Sequence, residues 1–243
     1  YYDLLNKSFM LFSGQIGNLS DIKGLHSYFI NNTELEDLKI DNPLIKQGIS
    51  SGYDQINSDV FMTFHKSEGS FTISYNELRN QFISFYDYKP SMYISKGQYF
   101  ITTHPDLKSI YRQYAGNYNN FYGDNCPSYI TLNVNPEANM DTVFDNIMYK
   151  SEVYLNDVDQ PDKTLTGVRL YNEYQDSGIV PIPLILGRNS NLRRKFRDWN
   201  AILPRNQGSR ERIRNPWVKL LLQFDNTSNY KLILHDMIIS YSV

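Results

Sequence analysis

The stretch DVFMTFHKSEGSFTISYNELRNQFISFY, residues 59–86, contains three short runs rich in β-branched and aromatic residues. The three runs are Asp59–Phe64, Ser70–Tyr75 and Gln81–Tyr86. The residues between them include Ser67–Gly69 and Asn76–Asn80, which have the composition of turns. Strands that recur about every ten residues, without a long amphipathic helix between them, are typical of an antiparallel meander.

The same spacing continues on the carboxyl side of this stretch. Further strands are predicted at Met92–Ser95, Gln98–Thr103 and Lys108–Tyr114. Four strands over about 40 to 45 residues make one propeller blade, and 52–95 has about that length. We therefore expect a propeller-blade-like β meander within 52–126. Because one blade is not stable alone, we also expect partner sequence from a missing amino-terminal portion.

The second half of the chain has longer strand candidates. They are Tyr129–Val134, Thr142–Leu155, Thr164–Tyr174, Ile179–Leu186, Leu192–Leu203, Ile213–Phe224 and Tyr230–Val243. Partly alternating and partly continuous apolar residues are consistent with inner strands, so we predict a β-sandwich-like domain over 127–243. Residues 1–51 are poorly patterned. With 20 Tyr and 13 Phe, which favour pleated surfaces, the prediction is an all-β, mainly antiparallel protein.

The segment 188–219, which we call the basic stretch, differs from the rest of the chain in charge. It contains ten Lys/Arg against two acids, whereas the whole chain has 24 Lys/Arg, 26 Asp/Glu and a net charge of −2. Both tryptophans of the chain also lie there. The strand pattern predicts that the basic stretch occupies two strands and the hairpin that connects them. Arginine and tryptophan are enriched at interface hot spots, and arginine also binds phosphate.

Three interpretations of the basic stretch remain open at this point. It is a solvated charged face, a nucleic-acid contact in which aromatic rings stack on bases, or a protein interface. The third is favoured, because a basic hairpin on an otherwise acidic chain suits head-to-tail packing of identical copies around a ring. The residues predicted to form this interface are Arg193, Arg194, Arg197, Trp199, Arg205, Arg210, Arg212, Arg214 and Trp217.

The residue types that carry catalysis or bind metals are sparse. A single cysteine, Cys126, excludes an internal disulfide and any multi-cysteine metal site, and the four histidines are not spaced as zinc ligands. The acidic segment Asn156–Asp162 lacks the glycine and the final glutamate of a calcium loop, and is predicted to be a solvated turn. No apolar run is long enough to span a membrane. We therefore predict no enzymatic activity, no cofactor and no metal.

Several runs resemble the muzzle proteins, also called nozzle or stabilisation proteins, of crAss-like bacteriophage tails. The runs that carry the resemblance are Gly52–Asp54, Asp59–Phe64, Phe71–Glu77, Phe82–Tyr86, Pro90–Met92, Tyr118–Gly123, Val168–Asn172, Asn191–Asn200, Leu203–Arg205, Arg210–Trp217 and His235–Asp236. The resemblance implies a structural virion protein of a short tail. It also implies a ring of identical copies below the portal that lines or closes the DNA exit channel.

A chain that begins with Tyr1 and is much shorter than a whole muzzle protein is expected to be its carboxy-terminal portion. The partners expected are other copies in a ring, the amino-terminal portion of the same polypeptide, neighbouring tail ring proteins and DNA in non-specific passage. The expected location is the virion, after assembly in the host cytoplasm. The alternative is a carbohydrate-binding or carbohydrate-degrading tail module, in which exposed tyrosines stack on sugars and an acidic pair does any chemistry.

Overall fold

A computed structural model describes residues 1–34, 38–182 and 192–243. These residues fall into two compact units, Tyr1–Gly116 and Asn117–Val243. Nearly all their regular structure is antiparallel strand, which confirms the predicted all-β class. The poorly patterned segment 1–51 lies in the same unit as the meander, and the chain passes from one unit to the next at Gly116.

The first unit contains ten strands among the residues described. They are β1 (Tyr2–Asp3), β2 (Ser8–Phe12), β3 (Ile16–Asn18), β4 (Gly48–Asp54), β5 (Asp59–His65), β6 (Phe71–Asn76), β7 (Gln81–Tyr86), β8 (Met92–Lys96), β9 (Tyr99–Thr103) and β10 (Ile110–Arg112). The short helices are α1 (Leu19–Ile22), α2 (His26–Asn32) and a 3-10 turn at Pro43–Ile45. The strands form three sheets, in the orders β1-β2-β3, β4-β5-β6-β7 and β10-β9-β8.

The sheet β4-β5-β6-β7 is a four-stranded antiparallel meander, as predicted, but it begins one strand earlier than the blade placed at 52–95. Its first strand, β4, was not predicted because its sequence, GISSGYD, is rich in glycine and serine, which have low strand propensity. Hydrogen bonding to β5 stabilises the extended conformation of β4 instead. The predicted strand at Met92–Ser95 forms β8 and lies in the next sheet. Aromatic side chains such as Phe64 and Phe29, both fully buried, fill the core beneath the meander.

The second unit contains the remaining twelve strands of the described chain. They are β11 (Asn120–Phe121), β12 (Asp124–Asn125), β13 (Ser128–Val134), β14 (Thr142–Leu155), β15 (Val158–Asp159), β16 (Gly167–Tyr171), β17 (Val180–Pro181), β18 (Leu192–Lys195), β19 (Asp198–Ile202), β20 (Arg214–Asn215), β21 (Val218–Phe224) and β22 (Lys231–Ser242). Apart from the β11-β12 hairpin, they form two sheets. One has the order β13-β21-β16-β17, and the other has the order β15-β14-β19-β18, with β20 and β22 also paired to β14.

Both sheets contribute to one hydrophobic core, so the second unit is a β-sandwich. Alternate residues of β21, from Val218 to Phe224, are at most 5% exposed. Ile147, Tyr149 and Val153 of β14 contribute to the same core from the other sheet. Because side chains alternate between the faces of a strand, the charged residues between these positions point outward. The sandwich therefore fixes which side chains of the basic stretch face solvent.

Candidate assembly interface

The basic stretch does not form the predicted pair of strands joined by one hairpin. The segment predicted as the single strand Leu192–Leu203 is itself a hairpin, β18 and β19, in which Lys195 pairs with Asp198 across a two-residue tip. The second predicted strand contributes β21, which pairs with β13 and β16 in the opposite sheet. The reason is the turn at Phe196, whose φ of 59° reverses the chain. Arg188 and Asn191 lie outside the described residues.

We call Leu192–Ile202 the basic hairpin. Phe196 at its tip is 87% exposed, and a left-handed φ is uncommon for a bulky aromatic residue. Arg193, Lys195 and Arg197 lie within three positions of Phe196 along the chain and are also exposed. The tip therefore presents an apolar ring among cations, which suits contact with another molecule.

The two tryptophans occupy different environments. Trp199 is 1% exposed and lies opposite Tyr149 in the core of the sandwich, and the guanidinium carbon of Arg194 lies 5.2 Å from the centre of its ring. Trp217 directly precedes β21 and is partly exposed. Of the two tryptophans predicted at the interface, Trp199 therefore belongs to the core of its own chain, whereas Trp217 keeps surface that a partner can contact.

Three of the predicted interface arginines contact residues of their own chain that lie outside the basic stretch. Arg197 lies 3.3 Å from a carboxylate oxygen of Glu152, and Arg212 forms an ion pair with Asp145. Arg194 donates a hydrogen bond to the carbonyl oxygen of Pro161, in addition to stacking on Trp199. The basic stretch thus meets part of the acidic remainder of the chain within the same molecule.

A β-bulge places Asp145 where Arg212 can reach it. The pairing of β14 with β22 shifts register between Phe144 and Asn146, so Asp145 is an extra residue on β14. Its second carboxylate oxygen accepts a hydrogen bond from the Ser242 hydroxyl at 3.1 Å. Asp145 was not predicted as a site residue. In an unbroken strand, neighbouring side chains that face the core lie two positions apart. Phe144 and Ile147 both face the core but lie three positions apart, and this irregular spacing is the sequence signal for the bulge at Asp145.

A second bulge builds a polar cluster around Glu152. His235 is the extra residue of β22, and its Nε2 lies 3.3 Å from Glu152 Oε2. The Tyr154 hydroxyl donates to the same oxygen at 2.8 Å, and Arg197 approaches the other oxygen. The pKa of the Glu152 carboxyl is lowered, chiefly by the hydrogen bond from Tyr154 and then by the contact with His235. Neither Glu152 nor His235 was predicted as a site residue.

The other four predicted arginines have no ion-pair partner in the part of the chain that the structure describes. Arg193, Arg205, Arg210 and Arg214 are all exposed. Arg205 donates only to the backbone carbonyl of Arg210, at 3.4 Å. Arg205 and Arg212 also line one pocket beside Asp145 and Pro204. These guanidinium groups are available to carboxylates or phosphates of another molecule.

The structure offers little support for other sites. Among residues 1–34, 38–182 and 192–243, no group of three or more His, Cys, Asp or Glu is arranged to hold a metal ion. The acidic segment turns tightly at Asn156 and Asp157, which both have positive φ. His65 is buried against Ser50 and the Pro90 carbonyl, and burial lowers its pKa. Within the same ranges, the structure has no helix with the length and apolar character needed to cross a membrane.

Comparison with known proteins gives one consistent result. A sequence model described as the crassvirus muzzle protein matches residues 1–106, and a model described as the crassvirus muzzle protein C-terminal domain matches residues 116–206. The gap between the matches falls close to the boundary between the two structural units. The muzzle protein of Bacteroides phage crAss001 is 32% identical over 244 residues, which cover 99% of this chain and 17% of the length of that relative.

Proposed function

We propose that the chain is a member of the crassvirus muzzle protein family and a structural part of a short phage tail. The observation that carries the proposal is the match of muzzle protein models to both structural units. In the proposed tail, copies of the chain form a ring below the portal that lines or closes the DNA exit channel. The role is non-enzymatic and the chain resides in the virion.

We further propose that the chain is the carboxy-terminal portion of a longer muzzle polypeptide. The ground for the position is the match of a C-terminal domain model to residues 116–206, and the ground for the greater length is that the chain covers 17% of the crAss001 relative. Its partners are then the amino-terminal portion of that polypeptide, other copies, and neighbouring ring proteins of the tail. We propose that the chain is assembled into the virion in the host cytoplasm.

We propose that the arginines of the predicted interface have two different roles. Arg194, Arg197 and Arg212 have partners in their own chain and orient the basic hairpin and the segment after it. Arg193, Arg205, Arg210 and Arg214 remain for carboxylates of a neighbouring copy, and Phe196 and Trp217 supply apolar contact area. Arginine in such positions favours specific, oriented contacts because its planar guanidinium makes two parallel hydrogen bonds.

The proposal is tested on purified virions of the phage that encodes the chain. Mass spectrometry should detect peptides from both structural units in virions, at a copy number that matches a ring, and cryo-electron microscopy should place the two β units in the tail. If capsid and portal peptides are abundant and peptides of this chain are absent, the chain is not a virion component. Cleavage or binding of a polysaccharide by the purified chain would instead favour the carbohydrate-module alternative.

The contribution of the arginines is tested by charge reversal. Replacing Arg193 and Arg214 by Glu should reduce incorporation of the chain into tails, because both guanidinium groups are exposed and have no partner in the described chain. Glu substitution at Lys231, which is exposed on β22 away from the basic stretch, is the matched control. If the Arg193 and Arg214 double variant and the Lys231 control are incorporated equally, Arg193 and Arg214 take no part in the assembly contact.

A further inference from the structure

The three-stranded sheet β10-β9-β8 of the first unit packs against the meander with one of its two faces. Phe100 and Thr102 of β9 are at most 1% exposed. The rings of Phe100 and Tyr93 lie 5.2 Å and 6.2 Å from the ring of Phe61 on β5. Because side chains alternate along a strand, the residues between these positions point to the opposite face of the sheet. We call that opposite face the outer face.

The outer face is largely apolar and is exposed to solvent. Its side chains lie in three cross-strand rows, which hold Met92, Thr103 and Ile110, then Ile94, Ile101 and Arg112, and finally Lys96 and Tyr99. Met92, Ile94, Tyr99 and Ile110 are between 38% and 72% exposed. The guanidinium carbon of Arg112 lies 4.7 Å from the centre of the Tyr99 ring. The sheet therefore has apolar side chains on both faces but a covering layer on one.

An outward sheet face of the second unit has a different composition. The central strand β21 presents Lys219, Leu221 and Gln223 outward, and Arg169 of β16 lies beside Leu221. A sheet face that borders water typically carries polar residues between few aliphatic ones, as this face does. The outer face of β10-β9-β8 instead has the composition of a sheet that is buried on both sides.

The meander shows how such a sheet is accommodated in this unit. Phe64 and Ile73 are buried on the side of the cluster that contains Phe29. On the other side, Phe61 is 2% exposed beneath Phe100, and the Thr63 and Tyr93 hydroxyls are hydrogen-bonded at 2.6 Å. Both faces of the meander are thus covered by another layer, and one of these layers is itself a β-sheet.

We propose that the outer face is covered in the same way, by a further β-sheet from the amino-terminal portion of the same polypeptide. The inference rests on the proposal that the chain is the carboxy-terminal portion of a longer muzzle polypeptide. Two sheets stacked face to face lie about 10 Å apart, so that their side chains interdigitate. The covering sheet supplies apolar side chains opposite Ile94 and Ile110, and hydrogen-bond acceptors or carboxylates opposite Lys96 and Arg112.

Length and charge both favour this occupant. The chain covers 17% of the crAss001 relative, so a muzzle polypeptide of that length has ample further sequence from which to form a covering sheet. The outer face carries Lys96 and Arg112 and no carboxylate. A contact between the outer faces of two copies would therefore bring like charges together without a counter-charge.

The first test compares the alkylation of an introduced thiol in the purified 243-residue chain and in the whole polypeptide encoded by the same gene. Ile110→Cys is placed at a residue that is 72% exposed, and Leu78→Cys, at a residue 83% exposed between β6 and β7, is the matched control. In the 243-residue chain both thiols should react readily with a maleimide. In the whole polypeptide Ile110→Cys should react at least about tenfold more slowly, because a covered thiol reacts only when the contact opens.

The control thiol, Leu78→Cys, should keep its rate in the whole polypeptide. Peptide mapping by mass spectrometry separates the introduced thiols from Cys126 and from any cysteine of the remaining sequence. The rates in the 243-residue chain are measured from low to high micromolar concentration, so that association between copies is detected by the same reaction.

The second test opens the contact with a charge. In the whole polypeptide, Ile94→Cys reports on the outer face, and Ile110→Lys should restore its reactivity because the added cation would be buried beside Arg112. Leu78→Lys should leave Ile94→Cys protected. In the 243-residue chain Ile110→Lys should not change the circular dichroism spectrum or the unfolding midpoint, since Ile110 already lies in water there.

Equal rates for Ile110→Cys in the two polypeptides would overturn the inference, as would equal slowing at residues 78 and 110. Protection that appears in the 243-residue chain as its concentration rises would assign the outer face to a second copy instead. If the gene specifies no sequence beyond this chain, the inference and the carboxy-terminal assignment fail together. The structural role in the tail is decided separately, by the presence of the chain in purified virions.

Discussion

Replacing each tryptophan by alanine should destabilise the second unit to very different degrees. Trp199 is 1% exposed in the sandwich core, whereas Trp217 is partly exposed and lies at the start of β21. A buried tryptophan removes roughly 200 Å² of surface from water, and at about 25 cal/mol per Å² this corresponds to about 5 kcal/mol. Trp199→Ala should therefore lower the free energy of unfolding by about 3–5 kcal/mol, and Trp217→Ala by about 1–2 kcal/mol.

Fluorescence during urea unfolding measures this difference cleanly. Both tryptophans lie in the second unit, so the remaining tryptophan of each variant reports on that unit without signal from the first. With a slope of about 1.5 kcal/mol per molar urea, the Trp199→Ala midpoint should fall by about 2–3 M and the Trp217→Ala midpoint by about 1 M. Trp199→Phe, which keeps an aromatic ring in the core, should fall between Trp199→Ala and the unchanged chain.

Equal losses for the two alanine variants would refute this reasoning. That result would mean that the burial of Trp199 does not set its contribution, or that Trp217 supports the sandwich as strongly from the surface. A larger loss for Trp217→Ala would contradict the placement of the core altogether.

Two further predictions concern single positions. Glu152→Gln should make the free energy of unfolding depend less on pH below about pH 4.5. The pKa of Glu152 is lowered in the folded chain, so the ionised carboxylate stabilises the fold. This stabilisation is complete above about pH 4.5 and is lost as the pH falls through the pKa of the folded state. Unfolding curves at several pH values test this, with the exposed Glu173→Gln as control, and an unchanged slope would contradict it. Gly52→Ala should destabilise the first unit by about 1–3 kcal/mol, because the added Cβ would lie 2.2 Å from Tyr93 Cβ. Gly17→Ala, with nothing within 4 Å, should not, and thermal unfolding followed by circular dichroism compares the two variants.

Strands that carry their own pattern could be predicted from the sequence. The predicted bounds Thr142–Leu155 and Gln81–Tyr86 are those of β14 and β7, because β-branched and aromatic residues dominate both runs. β4 could not be predicted in this way, since its glycines and serines favour a strand only once β5 is present as a partner. Pairing over a distance, rather than local propensity, therefore decides where the four-stranded meander begins.

The candidate interface was located by composition, but its geometry was not. No glycine or asparagine marks the turn at Phe196, so the sequence gives no local sign that Leu192–Leu203 reverses direction. The partners of the arginines were missed for a related reason. Asp145 and His235 reach their partners through bulges, and a bulge depends on the register between two strands. In β14 the irregular spacing of Phe144 and Ile147 indicates the bulge at Asp145. In β22 the spacing of the apolar residues does not indicate the bulge at His235.

The ion pairs within the chain change the interpretation of the basic stretch and the acidic remainder of the chain. A basic stretch on an acidic chain first suggested that opposite patches join neighbouring copies. In the folded chain, however, Asp145 and Glu152 lie within reach of Arg212 and Arg197. Ion pairs formed by a solvent-exposed arginine contribute about 1 kcal/mol or less to stability. Charge therefore orients the basic hairpin on its own sandwich and leaves only part of its arginines for partners. A contact strong enough to hold identical copies together needs apolar groups as well, and Phe196 and Trp217 supply aromatic surface in the same basic stretch.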